Sequence, residues 1–98
     1  MEVIRVQDLA DTPGAYIVDV REAYEYAAGH IPGAVNVPMS VLPRDYRDLP
    51  VDRRLYLVCE IGIRSAQATD ALAAAGWDAV NVSGGTQAWT RAGFPLER

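Results

Sequence analysis

Apolar residues in this chain fall in short runs, each closed by glycine, proline or a charged side chain. Val3-Ile4-Arg5-Val6 predicts a first strand, and Gln7-Asp8-Leu9-Ala10 begins a helical turn that Pro13-Gly14 breaks. Tyr16-Ile17-Val18-Asp19-Val20 has the continuous apolar character of a buried strand. Residues 22–28, rich in Ala, Glu and Tyr, predict a short helix that stops at Gly29. The rigid turn Gly29-His30-Ile31-Pro32-Gly33 leads into a strand, Ala34-Val35-Asn36-Val37, ended by Pro38. Residues 39–53 carry Pro43, Pro50 and several charges and predict irregular chain with one helical turn. Leu55-Tyr56-Leu57-Val58 is the clearest strand, and Cys59 closes it. Residues 60–64 are expected to form a loop containing Gly62, and in the helix that follows, Ala68, Ala71, Leu72 and Ala75 recur at one-face spacing; Ser65 is its expected cap and Gly76 its end. Ala79-Val80-Asn81-Val82 predicts a fifth strand. Gly84-Gly85 turns the chain into a last helix carrying Trp89, which Gly93 and Pro95 close.

Strands alternating with helices predict an α/β, three-layer architecture: a five-stranded, mainly parallel sheet with helices on both faces. The likeness of Ala34-Val35-Asn36-Val37 to Ala79-Val80-Asn81-Val82 reads as common strand composition rather than a repeat, because the flanks differ. No linker or low-complexity stretch divides residues 1–98, so one domain is expected.

Composition narrows the function classes. Half of the residues are hydrophobic and 22% are charged, which describes an ordered globular chain. A net charge of −4 with scattered arginines argues against a nucleic-acid partner. The amino-terminal residues lack the layout of a signal peptide, and no apolar run approaches the ~20 residues that span a bilayer. The expectation is a cytoplasmic protein without a membrane partner; the pattern specifies no oligomeric state.

The single cysteine excludes an internal disulfide and a two-cysteine redox mechanism, and with one histidine it cannot build a zinc site. Cys59 therefore acts, if it acts, as a lone thiolate. It sits where a strand ends and a glycine-containing loop enters a helix. Backbone N–H groups and the positive end of a helix dipole can there stabilise an anion. Gly62 lets the loop turn inward, and Arg64 adds a permanent charge near the rim. Position alone leaves this reading level with a plainer one, a small buried hydrophobe at a strand end.

Val58-Cys59-Glu60-Ile61-Gly62-Ile63-Arg64-Ser65 resembles the active-site pattern of the rhodanese family: cysteine, two variable residues, glycine, a variable residue, arginine, then serine or threonine. Ile17-Val18-Asp19-Val20-Arg21, Glu25-Tyr26 and Gly29 to Pro38 look like that family's upstream signature. Ser83 to Trp89 and Ala92-Gly93-Phe94-Pro95 are similar to its closing segment. The resemblance spans nearly the whole chain, in order.

It implies a sulfurtransferase. Cys59 would take the outer sulfur of a donor and become a persulfide. The amides of Glu60, Ile61, Gly62, Ile63, Arg64 and Ser65 would cradle the terminal sulfur. Cyanide, a cellular thiol or a partner protein's cysteine would then remove it, in ping-pong kinetics without cofactor or metal. The donor would be a small sulfur-containing anion or a persulfide. Related phosphatases place five residues between cysteine and arginine. The four here suit one sulfur atom better than a phosphate, so phosphatase or arsenate reductase activity ranks below sulfur transfer. A non-enzymatic rhodanese-like module that binds a protein or senses oxidation is the alternative.

Glu60 would repel a dianion such as thiosulfate if its carboxylate points into the pocket, and not if it faces solvent. Asp19 and Arg21 follow a strand end and could border the pocket; in the family such a pair chiefly organises loops. His30, in a Pro/Gly turn, is expected to be structural rather than a general base. Trp77, Trp89 and Phe94 suit core or cap packing. Tyr24 and Tyr26, two apart, cannot share a helix face, so one ring is expected to be exposed.

Overall fold

Leu55–Val58 (β4) lies at the centre of a five-stranded parallel sheet whose order is β1-β5-β4-β2-β3. The computed structural model describes residues 1–98. The other strands are β1 (Glu2–Ile4), β2 (Tyr16–Asp19), β3 (Val35–Asn36) and β5 (Ala79–Val82). Between them run α1 (Val6–Ala10), α2 (Ala23–Ala28), α3 (Leu42–Asp45) with a 3-10 turn over Tyr46–Asp48, α4 (Ile63–Ala74) and finally α5 (Gly85–Arg91).

Alternation along the strands divides the core in two. Leu55, Leu57 and Cys59 face one side with Val18, Val20 and Ala79, where Leu42, Leu49, Ala68 and Leu72 of the α3–α4 layer cover them. Ile17, Val58 and Val82 face the other side, under Val6, Leu9 and Trp89 of α1 and α5. Leu55, Leu57 and Val58 have no exposed surface. Each such side chain contributes about 1.5–3 kcal/mol over an exposed one, so β4 is a stiff mount for the residue that follows it.

Some boundaries differ from the sequence expectation. β1 stops at Ile4, and Val6 belongs to α1. The Arg5 carbonyl accepts the amides of Asp8 and Leu9, and the helix so started buries Val6 and Leu9 together. Residues 39–53 hold α3 and the 3-10 turn in succession, and Pro43 occupies the first turn of α3, where its missing N–H costs nothing. Ser65 does not cap α4. The helix begins two residues earlier, with Gly62 at its cap position. The three large aromatics pack as expected: Trp77 donates to the Leu49 carbonyl, and Trp89 stacks at a tilt on Phe94. Tyr24 is the exposed member of its pair, while Tyr26 donates to the Ala34 carbonyl and stacks on His30.

The sheet order creates a divergence between its two inner strands. From β2 the chain runs through α2 outward to β3; from β4 it runs through α4 the opposite way, to β5. The connections beyond β2 and β4 thus part at the carboxyl edge, and such a switch point is the place where open parallel sheets bind ligands. Asp19 ends one strand and Cys59 follows the other. No helix is long and apolar enough to cross a membrane.

Candidate active site

The loop after β4 is shaped by the helix across from it. The Cys59 carbonyl accepts the Thr86 amide at 2.9 Å and the Thr86 hydroxyl at 3.2 Å; the Glu60 carbonyl accepts the Gln87 amide at 3.0 Å. Those donors are free because they lie in the first turn of α5. With both carbonyls drawn outward, the following amides turn toward the sulfur. Gly62 N–H donates to Cys59 Sγ at 3.2 Å, and Ser65 N–H at 3.3 Å. The sulfur therefore does for α4 what a side-chain cap would do. Two glycines permit the arrangement. Gly62 has φ +99°, closed to most side chains. At Gly85 a Cβ would lie 2.4 Å from the Cys59 carbonyl oxygen and 2.6 Å from that of Glu60.

Cys59 is 1% exposed. Burial pushes its thiol up, but hydrogen bonds from Ser65, through side chain and amide, and from the amides of Gly62 and Ile61 outweigh burial and hold it below the ordinary thiol value. The Ser65 hydroxyl is shared. It donates to Asn81 Oδ1 at 2.6 Å and lies 3.2 Å from Cys59 Sγ, while Asn81 Nδ2 donates to the Gly62 carbonyl at 3.2 Å. That last bond fixes the amide orientation, so the acceptor oxygen faces Ser65. A hydroxyl has one proton. While it rests on Asn81, the serine oxygen accepts from the thiol S–H; a thiolate must draw the proton away from Asn81.

The charged residues around the loop are tied to one another. Arg64 grips Glu25 through two bonds, at 2.7 and 3.0 Å. The Arg64 guanidinium pulls the Glu25 carboxyl from the usual 4.5 to about 2, helped by the Glu22 amide against opposing burial. Arg21 and Asp19 form a buried pair at 2.8 Å, and Arg21 also donates to the Gly29 carbonyl and approaches Glu60 at 3.4 Å. The Glu60 side chain thus leans toward Arg21, about half exposed. Ile61 and Ile63 stand out from the loop at 50% and 61% exposure.

The structure brings Glu60, Ile61, Gly62, Ile63, Arg64 and Ser65 around Cys59, with Asp19 and Arg21 bordering through Glu60. His30 belongs to another cluster. Its Nδ1 meets the Tyr26 carbonyl at 2.8 Å, its Nε2 lies 3.6 Å from Glu97, and its backbone bridges to Glu97. An apolar cleft lined by Met39, Leu42, Tyr46, Gln67 and Ala71 contains none of the loop residues.

Sequence reasoning missed three residues that shape the site: Glu25 as the partner of Arg64, Asn81 and Gly85. A signal existed for Asn81. The two similar segments dismissed as strand composition hold equivalent posts. Asn36 Nδ2 donates to the carbonyls of Asp19 and Arg21 beyond β2, as Asn81 Nδ2 does to Gly62 beyond β4. Each asparagine ties down the loop that leaves the neighbouring strand.

Known proteins are similar to this chain in sequence and in fold. The family model for the rhodanese-like domain matches residues 3–92. A sulfurtransferase of Allochromatium vinosum is 41% identical over 91 residues, covering 92% of this chain and 85% of that protein. An adenylyltransferase and sulfurtransferase of Ogataea parapolymorpha is 33% identical over 92% of this chain, which spans 24% of it. The crystal structure of a rhodanese-related protein from Thermoplasma volcanium superposes with a TM-score of 0.95 at 35% identity, covering 99% of this chain and 98% of that one.

Proposed function

This chain belongs to the rhodanese-like domain family, and on that premise we propose that it is a sulfurtransferase carrying sulfur as a persulfide on Cys59. Relatives named sulfurtransferase support sulfur transfer in general. The observation that carries the specific reading is the sulfur's surroundings: a buried Cys59 Sγ accepts the amides of Gly62 and Ser65 in a loop whose first two carbonyls point away. That cradle favours thiolate over thiol, and the same N–H groups can hold a terminal sulfur after transfer.

In the first half-reaction the Cys59 thiolate attacks the outer sulfur of a donor, and the donor's remainder leaves with the bonding electron pair. In the second, a thiol, cyanide or a partner protein's cysteine attacks the terminal sulfur and restores the thiolate. Glu60, Ile61, Gly62, Ile63, Arg64 and Ser65 form the cradle and its rim. Asp19 and Arg21 support it, and His30 takes no part. Residues 1–98 serve as one rhodanese domain, and a lone reactive thiol fits a reducing cytoplasm.

Mass spectrometry of the protein after exposure to sulfane donors tests this. The expected result is a gain of one sulfur atom, absent in Cys59→Ser and removed by cyanide as thiocyanate. A folded protein that takes sulfur from no donor would instead be a non-catalytic binding or redox-sensing module.

A further inference from the structure

Granting a persulfide on Cys59, the charges and apolar atoms around its mouth select the donor. Both guanidinium groups there are already matched: Arg64 holds Glu25 through two bonds, and Arg21 holds Asp19 and faces Glu60. Two cations thus meet three carboxylates, so the mouth carries an excess of negative charge before the thiolate forms. A small dianion such as thiosulfate, driven toward a thiolate through that field, meets repulsion at each stage of approach.

What the mouth offers instead is hydrocarbon. Ile61 and Ile63 stand on either side of Gly62, whose amide touches the sulfur, and both expose half or more of their surface. Isoleucine is among the most often buried residue types, so two exposed in the loop that holds the chain's only thiol leave uncovered apolar surface there.

We propose that the donor is an alkyl persulfide, R–S–SH, whose carbon substituent bears no negative charge and packs on Ile61 and Ile63. The Cys59 thiolate forms a bond to the outer sulfur as the R–S–SH sulfur–sulfur bond breaks. R–S⁻ departs with the electron pair and takes a proton from solvent, and the outer sulfur keeps its own. No external oxidant or reductant enters. The Glu60 carboxylate and the two isoleucines are the specificity-determining elements.

Loading of Cys59 by thiosulfate, by a short-chain alkyl persulfide with an uncharged substituent and by a peptide with an uncharged sequence around its cysteine persulfide is followed by mass spectrometry over a range of salt. The alkyl donors should load at least about tenfold more efficiently at low ionic strength. Thiosulfate loading should rise steeply with salt as repulsion of a dianion is screened, while alkyl loading, with at most the one charge of the persulfide itself, rises less. Faster loading from the peptide than from the small donor assigns the substituent to a protein; the reverse assigns it to a small molecule. Glu60→Gln should raise thiosulfate loading by a larger factor than alkyl loading. Ile63→Lys, at a position too exposed to endanger folding, should slow the alkyl donors and speed thiosulfate, each several-fold. Thiosulfate loading as fast as the alkyl donors, and flat in salt, would overturn the assignment while leaving the persulfide reading intact. Failure of all three donors would overturn both.

Discussion

Replacing Asn81 by leucine should make Cys59 more acidic. The side chain touches neither the sulfur nor a substrate, yet its amide oxygen holds the Ser65 proton at 2.6 Å. Forming a thiolate means turning that proton toward Sγ, 3.2 Å away, and leaving a buried amide oxygen without its donor. Such a forfeited bond costs about 1–1.5 kcal/mol, which corresponds to roughly one pKa unit. Leucine has the same branched heavy-atom skeleton and accepts no hydrogen bond, so the serine proton becomes free to follow the charge. The Cys59 pKa should then fall by up to about one unit below its wild-type value.

Because the chain has one cysteine, the rate of alkylation by iodoacetamide as a function of pH reports this ionisation directly, without sulfur-transfer assays. Loss of the Asn81 bond to Gly62 is the competing effect. It is moderate, since the Gly62 carbonyl also accepts the Ala66 amide at 3.3 Å. A double-mutant cycle separates the two: in a Ser65→Ala background the Asn81→Leu change should leave the midpoint where it was. A folded Asn81→Leu protein whose midpoint stays put or rises would refute the shared-proton account. So would an equal drop in the Ser65→Ala background.

Two further outcomes follow from the anchors of the loop. Gly85→Ala places a Cβ 2.4 Å from the Cys59 carbonyl oxygen at φ +62°, so α5 must withdraw; thermal denaturation should show a loss of about 1–3 kcal/mol, and Cys59 alkylation should slow. Glu25, lowered from 4.5 to about 2 by Arg64, contributes stability that is fully present above pH 4.5 and is lost as pH falls toward 2. Glu25→Gln should therefore flatten the acid-unfolding curve across that window; a parallel curve would show that the pair adds no stability.

The fold was legible in this chain because its strands are apolar runs punctuated by glycine and proline, and a parallel sheet is what buries such runs on both faces. The sulfur's position was legible for the same reason, since Cys59 directly follows the strongest run. Ser65 has the side chain of a cap but not its position, because the sulfur of Cys59 accepts the first-turn amide and the helix starts from a left-handed glycine. Arg64 has no partner visible in its own segment, because Glu25 lies 39 residues earlier, on α2, where an i,i+3 capping box with Glu22 gives it a sufficient local role. No periodicity reports such a pairing; it depends on α2 and α4 both leaving the carboxyl edge of the sheet from its two inner strands. The Val-Asn-Val segments argue the opposite case. There the pattern was visible and its meaning was not, because a polar side chain in a buried strand becomes informative only once the neighbouring strand is known. With β3 beside β2 and β5 beside β4, each asparagine stands next to the loop whose carbonyls it holds. A sheet order inferred in advance would have singled out Asn81 as part of the site from the sequence.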